Sequence, residues 1–214
     1  MSTELPLVVL VSGRGSNLRA ILDAIDKGAC AARVRAVVAD RKECGGLELA
    51  RERKIATSAV RPKDHADRDA WDLALASEIA RFEPALVVLA GFMRIVGPAM
   101  LARFGGRIVN VHPALLPAFP GMDGPEQAIR AGVRISGCTV HVVDAGVDTG
   151  PILAQAAVPV LPGDDAASLH ARIQGAEHRA LPAVIDAIAR GDLSLLPSPR
   201  WKDGVAPSSF ALFG

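Results

Sequence analysis

Leu7-Val8-Val9-Leu10-Val11-Ser12-Gly13-Arg14-Gly15-Ser16-Asn17-Leu18 sets the architecture of this 214-residue chain. Five consecutive apolar residues end in a glycine turn, and an amphipathic segment over 18–26 follows; the order is strand, turn, helix. A strand that is apolar on both faces is expected where helices cover both sides of a parallel sheet. The same unit recurs downstream. Strands are expected at 34–39, 55–60, 85–90 and 107–111, and helices at 46–53 and 68–81, the latter with Trp71, Leu75 and Ile79 on one face. The pattern predicts an α/β fold: a mostly parallel twisted sheet with helices on both faces. In such sheets ligands bind beyond the carboxyl ends of the strands.

The second half changes character. Strands at 138–143 and 152–158, joined by a loop at 144–151 rich in glycine and acids, predict antiparallel strands appended to the parallel sheet. A long amphipathic helix is expected over 165–190, bent near Pro182. The tail after about 195 contains Pro197, Pro199 and Pro207 and is expected to be irregular. With no repeat and no linker, residues 1–214 read as a single domain.

Half of the residues are hydrophobic and 22% are charged, a globular rather than a disordered balance. A net charge of +1 creates no global field for nucleic acid or an anionic membrane, so any anion must be held by a local site. Aromatics make up 4% of the chain and tyrosine is missing, which weakens a stacking-based nucleic-acid reading. Cys30, Cys44 and Cys138 lack ligand-like spacing, which speaks against a metal site and for a reducing compartment. Residues 1–6 lack a basic flank and precede only a short apolar run, so neither a signal peptide nor a membrane span is expected and a cytoplasmic location is.

Three strand-end loops carry chemistry. Gly13-Arg14-Gly15-Ser16-Asn17 opens a helix, where small residues allow close backbone approach and the first amides point at an anion. Position 18 is Leu, not the third glycine of a dinucleotide fingerprint, and no Walker lysine follows; the loop fits a single phosphate monoester. Taken alone it is equally a glycine-rich connection with Ser or Asn as a helix cap. Gly91-Phe92-Met93-Arg94-Ile95-Val96 places apolar residues at a strand's carboxyl edge, as a pocket for a flat ring or as ordinary core closure.

Arg107-Ile108-Val109-Asn110-Val111-His112-Pro113 puts Asn110 and His112 two apart on one strand, so both side chains share a face. A carboxamide and an imidazole side by side can donate to a developing oxyanion; an isolated pair of this kind more often caps a turn. If Asp148, in Asp148-Thr149-Gly150, approaches His112, it would orient the imidazole and favour the imidazolium, although a D-x-G aspartate is commonly a solvated turn. His141 reads as a packed strand histidine, Glu177-His178 as a solvated helix face, and His65 and His170 as surface residues.

Together, residues 12–17, residues 91–96, Asn110-x-His112-Pro113-x-Leu115-Leu116-Pro117-x-x-x-Gly121 and Asp148-x-Gly150 resemble the folate-dependent formyltransferase family, over about residues 7–195. The S-G-x-G-S-N loop resembles the members that formylate glycinamide ribonucleotide. The resemblance implies a Rossmann-like formyltransferase fold, with a phosphate-binding N-terminal half and a folate-binding C-terminal half. It implies formyl transfer from 10-formyltetrahydrofolate to the amine of glycinamide ribonucleotide in purine biosynthesis, through a tetrahedral oxyanion. Neither a metal, nor nucleic acid, nor a membrane is implied, and the chain would act as a monomer or homodimer.

Residue by residue, the resemblance makes Asn110, His112 and Asp148 catalytic. Arg14, Gly15, Ser16 and Asn17 would hold the ribonucleotide phosphate, and Glu177 its ribose. Arg68, Met93, Arg94, Ile95, Val96, Val142, Val143 and Asp144 would line the folate pocket. One departure stands out: Asp123 and Pro125 lie where the family often has histidine. Two alternatives remain open: a 10-formyltetrahydrofolate hydrolase with the same trio, and a non-catalytic nucleotide- or folate-binding module.

Overall fold

The computed structural model describes residues 4–203, and within them a seven-stranded sheet is ordered β3-β2-β1-β4-β5-β6-β7. Its strands are β1 (Leu5–Val11), β2 (Ala32–Ala39), β3 (Ala56–Ala59), β4 (Leu86–Leu89), β5 (Ile108–His112), β6 (Ile135–Val142) and β7 (Ile152–Pro159). The first five pair in parallel; β6 runs antiparallel to β5, and β7 antiparallel to β6. The expected appended antiparallel pair is therefore present. After β3 the chain returns to the other side of β1, so the carboxyl ends of β1 and β4 flank the switch point where ligands of such sheets bind.

Side-chain alternation builds two cores from the same strands. Leu7, Val9 and Val11 of β1 enter one core with Val37, Val88, Val109 and Val140, whereas Val8 and Leu10 enter the other with Val38, Val87 and Ile108. The first core is closed by α1 (Ser16–Asp26), α2 (Gly45–Glu52) and α6 (Ala166–Arg190). The second is closed by α3 (Arg68–Ala80) and α4 (Pro98–Phe104). α5 (Gly124–Ala131) packs on α6. Covering of both faces is why β1 and β4 read as unbroken apolar runs.

α4 and α5 were not expected from the sequence. α4 begins with Pro98, and its first amides are held by Asp72 of α3, whose carboxylate accepts from Gly97, Ala99 and Met100. That cap comes from more than twenty residues away, so no local N-cap signal announces the helix. α6 starts where expected, on a capping box between Asp165 and Ser168, and continues through Pro182. The expectation of an irregular tail needs correction. β8 (Leu193–Ser194) and β9 (Arg200–Trp201) form a short antiparallel ladder, anchored where Trp201 Nε1 donates to the Leu153 carbonyl. Pro207 lies outside the described residues. No helix among the described residues is long and apolar enough to cross a membrane.

Candidate active site

Val109 and Val111 of β5 point into the core under α6, which sends Asn110 and His112 to the opposite face. Register then brings β6 residues beside them: Asn110 faces His141, and His112 faces Thr139. Thr139 holds down the loop after His112, donating to the Ala114 carbonyl at 2.7 Å and accepting the Leu116 amide at 3.0 Å. The chain thus turns back over His112, whose Nε2 donates to the Phe119 carbonyl at 2.8 Å. His112 is buried, 4% exposed, in a wall otherwise open to a cleft.

Asp148 reaches this face from the loop between β6 and β7, in the left-handed backbone region (φ 54°). Its Oδ2 accepts the Gly121 amide at 2.8 Å and lies 3.3 Å from His112 Nδ1; its Oδ1 lies 3.5 Å from His141 Nε2. Burial alone would raise the Asp148 carboxyl. The neighbouring His141 ring, the Gly121 amide and the His112 ring outweigh it and hold the group below the ordinary carboxylate value. His141 Nδ1 donates to the Val142 carbonyl at 3.0 Å, leaving Nε2 to accept from the Asn110 carboxamide at 3.1 Å. One amide proton of Asn110 is fixed in this way, and the second remains free to donate. The sequence-level trio is brought together, and His141, read there as a packed strand residue, sits between two of its members.

These groups line a cleft of about 490 Å³. Met93, Arg94, Ile95 and Val96 form one wall, and Val143, Asp144 and Val147 another. Met93, Ile95, Met122 and Val147 are large apolar side chains left exposed around it, as expected of a surface that receives a ligand. Two expected pocket residues are placed elsewhere. Arg68 does not line the cleft; from the start of α3 its guanidinium donates to the Ile95 carbonyl at 3.3 Å. Val142 points into the core on the opposite face, because alternation along β6 gives the cleft to its neighbours His141 and Val143. Asp144 lines the cleft while accepting from Gly146 N and Thr149 Oγ1, which closes its own turn.

The glycine loop sits at the start of α1, where Gly15 is the N-cap in left-handed conformation and no side chain caps the first amides. Gly15 is required by packing: a Cβ there would lie 2.6 Å from Gly46 Cα at the start of α2. Arg14 is exposed and Ser16 half-buried beside these free amides. Asn17 is buried, and its Nδ2 donates 2.9 Å to Glu177 Oε2 rather than facing the loop mouth. Glu177, read from sequence as solvated, is 4% exposed. Burial pushes its carboxyl up, and the Asn17 hydrogen bond only partly offsets this. Asn17 Oδ1 is buried without a partner.

His170 was read as a surface residue and is exposed on α6, yet it lines the cleft. Partial desolvation of the ring where it meets the cleft, and then the charge of Arg14, push its imidazole below the ordinary value. The signal that could have found His141 is β5–β6 register, which a single sequence does not contain. Among the described residues no cluster of metal-ligating side chains occurs.

Comparison with known proteins adds the following. Residues 5–185 match the family described as formyl transferase. The chain is 56% identical over 183 residues to a phosphoribosylglycinamide formyltransferase of Mycobacterium tuberculosis, covering 86% of this chain and 84% of that protein. It is 42% identical over 207 residues to the phosphoribosylglycinamide formyltransferase of Escherichia coli, covering 96% and 98%. The crystal structure of glycinamide ribonucleotide transformylase 1 from Symbiobacterium toebii superposes with a TM-score of 0.91 at 45% identity, covering 95% of this chain and 96% of that one.

Proposed function

The chain belongs to the formyl transferase family, and from that premise we propose that its cleft sets the formyl carbon of the folate donor against the substrate amine beside Asn110, His112 and Asp148. The reaction is transfer of the formyl group from 10-formyltetrahydrofolate to glycinamide ribonucleotide, a step of purine biosynthesis. The cleft suits the donor: its volume is in the usual range for a small-ligand site, its walls are largely apolar, and Asn110, His112, His141 and Asp148 all line it. The folate supplies an activated formyl group; the protein supplies geometry and charge.

Attack of the amine on the formyl carbon puts negative charge on the formyl oxygen. The free amide proton of Asn110 and the ring N–H of His112 are the donors that meet it. In the resting site the Phe119 carbonyl holds the His112 Nε2 proton, and the developing oxyanion competes for it. Asp148 keeps the ring oriented through Nδ1 and favours its imidazolium form, which meets the oxyanion already charged. The attacking nitrogen loses a proton to the Asp148 carboxylate, and as the intermediate collapses the formyl carbon–N10 bond breaks and that proton is passed to N10 of the departing tetrahydrofolate. No covalent enzyme intermediate is needed.

The phosphate of the ribonucleotide goes to the uncapped start of α1 and Arg14, where helix amides favour an anion. Glu177 lies one helix away and suits a ribose hydroxyl. Holding the substrate far from its reacting nitrogen turns binding energy into positioning. The near-zero net charge gives nucleic acid no global field and so supports small-molecule substrates; the reading takes the enzyme as cytoplasmic and as a monomer or homodimer.

The observation that carries this reading is the placement of Asp148 against both imidazoles on the face that opens into the cleft. His112→Ala is expected to lower kcat roughly 10²–10³-fold with little change in folate affinity, the loss typical of an oxyanion donor. Wild-type turnover in that variant contradicts the assignment.

A further inference from the structure

One buried carboxylate near the cleft neither touches the catalytic trio nor itself lines the cleft. Asp40 follows β2, and its side chain is 1% exposed. Arg94 Nε donates to its Oδ2 at 2.8 Å, Arg41 Nε approaches its Oδ1 at 3.3 Å, and these partners, with the nearby Ser12 hydroxyl, hold its carboxyl below the ordinary value against its burial. Ser12 is itself buried, ends β1, and accepts the Met93 amide on its Oγ at 2.9 Å, while its own amide donates to the Gly91 carbonyl at 3.1 Å.

Three of the six residues in loop 91–96 are thereby tied to the carboxyl ends of β1 and β2. A fourth, Phe92, stacks on Trp71 of α3 at 6.5 Å between ring centres. A buried carboxylate persists only where charge and hydrogen bonds compensate its desolvation, and here two of its partners are also tied to the cleft wall. Between the buried Phe92 and Val96, loop 91–96 exposes Met93, Arg94 and Ile95, and it starts at Gly91, whose φ of 74° favours glycine. Such a loop has little intrinsic reason to hold one shape.

Building on the assignment of loop 91–96 as a folate wall, we propose that Asp40 and Ser12 are positioning residues for the folate. They fix the Met93 amide and draw the Arg94 guanidinium back against the end of β2, so the wall is already in its binding shape when the donor arrives. Preorganisation of this kind lowers the ordering cost of binding and therefore acts on affinity. It acts on the folate rather than the ribonucleotide, because the contacts run to Met93 and Arg94 and not to the start of α1.

The test is calorimetric titration of the full chain with tetrahydrofolate and, separately, with glycinamide ribonucleotide. Asp40→Ala is expected to weaken tetrahydrofolate binding about tenfold while the ribonucleotide stays within about twofold, with Asp40→Asn between it and wild type. Arg94→Ala breaks the same pair but also removes a cleft-lining side chain, so it is read only against Asp40→Ala in the double variant. Ser12→Ala, which frees the Met93 amide without touching the cleft lining, should weaken tetrahydrofolate alone even if Asp40→Ala fails to fold. The double variant should bind no more weakly than the worse single, since both remove one contact. Arg41→Ala, whose guanidinium reaches Asp40 but not the cleft, should leave tetrahydrofolate binding unchanged. Equal weakening of both ligands in Asp40→Ala, multiplicative losses in the double variant, or unchanged tetrahydrofolate binding overturns the proposal. Failure of the wild-type chain to bind tetrahydrofolate overturns the folate-wall assignment itself, and is recognised before any variant is made.

Discussion

Gly15→Ala separates a glycine kept for packing from one kept for ligand approach. Gly15 has φ 79° and ψ 27°, a conformation that disfavours any residue with a Cβ by about 1–2 kcal/mol. The added methyl would also lie 2.6 Å from Gly46 Cα and 3.1 Å from Gly46 N, both backbone atoms that cannot swing aside. Overpacking of that kind adds about 1–3 kcal/mol. Summing the two gives a loss of roughly 2–5 kcal/mol, a large share of the ~5–15 kcal/mol that holds a domain folded. For a chain of this size each kcal/mol moves the midpoint by about 2–4 °C, so Tm should fall by roughly 5–20 °C. Gly13 is the control: its φ is not in the left-handed region and a Cβ there meets nothing within 4 Å, so Gly13→Ala should change stability by less than about 0.5 kcal/mol. Thermal unfolding followed by circular dichroism reads both, with steady-state kinetics in parallel. A Gly15→Ala midpoint within about 2 °C of wild type refutes the packing argument and leaves ligand approach as the reason for the glycine.

Glu177→Gln should raise Tm at neutral pH while raising KM for the ribonucleotide, a trade between stability and function. Burial raises the Glu177 carboxyl in the folded state, so the wild-type deficit develops as pH rises above the ordinary carboxylate value and vanishes below it; melts across pH 3–8 check the sign. Asp148→Asn should lower kcat by about 10²–10⁴-fold. Because Asp148 is held below the ordinary carboxylate value, its stabilising contribution is present above about pH 4 and lost as pH falls through its folded value, so the melting curves of wild type and variant should converge in acid. Cys30 and Cys138 are buried and pushed up to about 12, whereas Cys44 is half-buried, so a thiol reagent at pH 8 should titrate one group in the native chain and all three after unfolding.

The parallel half of the fold was legible because burial on both faces writes itself as unbroken apolar runs, and glycine turns mark where each strand ends. Elements held by distant partners were not legible. α4 depends on Asp72, and the β8–β9 ladder depends on Trp201 reaching Leu153. In the site, Asn110 and His112 were readable as a pair because alternation along one strand needs no tertiary information. His141 was not, since only antiparallel register places it opposite Asn110. Val142 was placed in the pocket by the family resemblance alone, whereas alternation along β6 gives the cleft to its neighbours on both sides and turns it to the core. Glu177 read as solvated because its helix position shows a charge but not the α1 terminus packed against it.

The central claim is that the cleft joins two substrates, and the dependence of folate turnover on the ribonucleotide tests it most directly. Release of tetrahydrofolate from 10-formyltetrahydrofolate is followed by absorbance with and without glycinamide ribonucleotide. The account requires release only when the ribonucleotide is present, one formylated ribonucleotide per tetrahydrofolate, and loss of both signals in His112→Ala. Release at the same rate without the ribonucleotide would mean that water is the acceptor and the chain is a hydrolase, and no release under either condition would contradict the assignment of Asn110, His112 and Asp148 altogether.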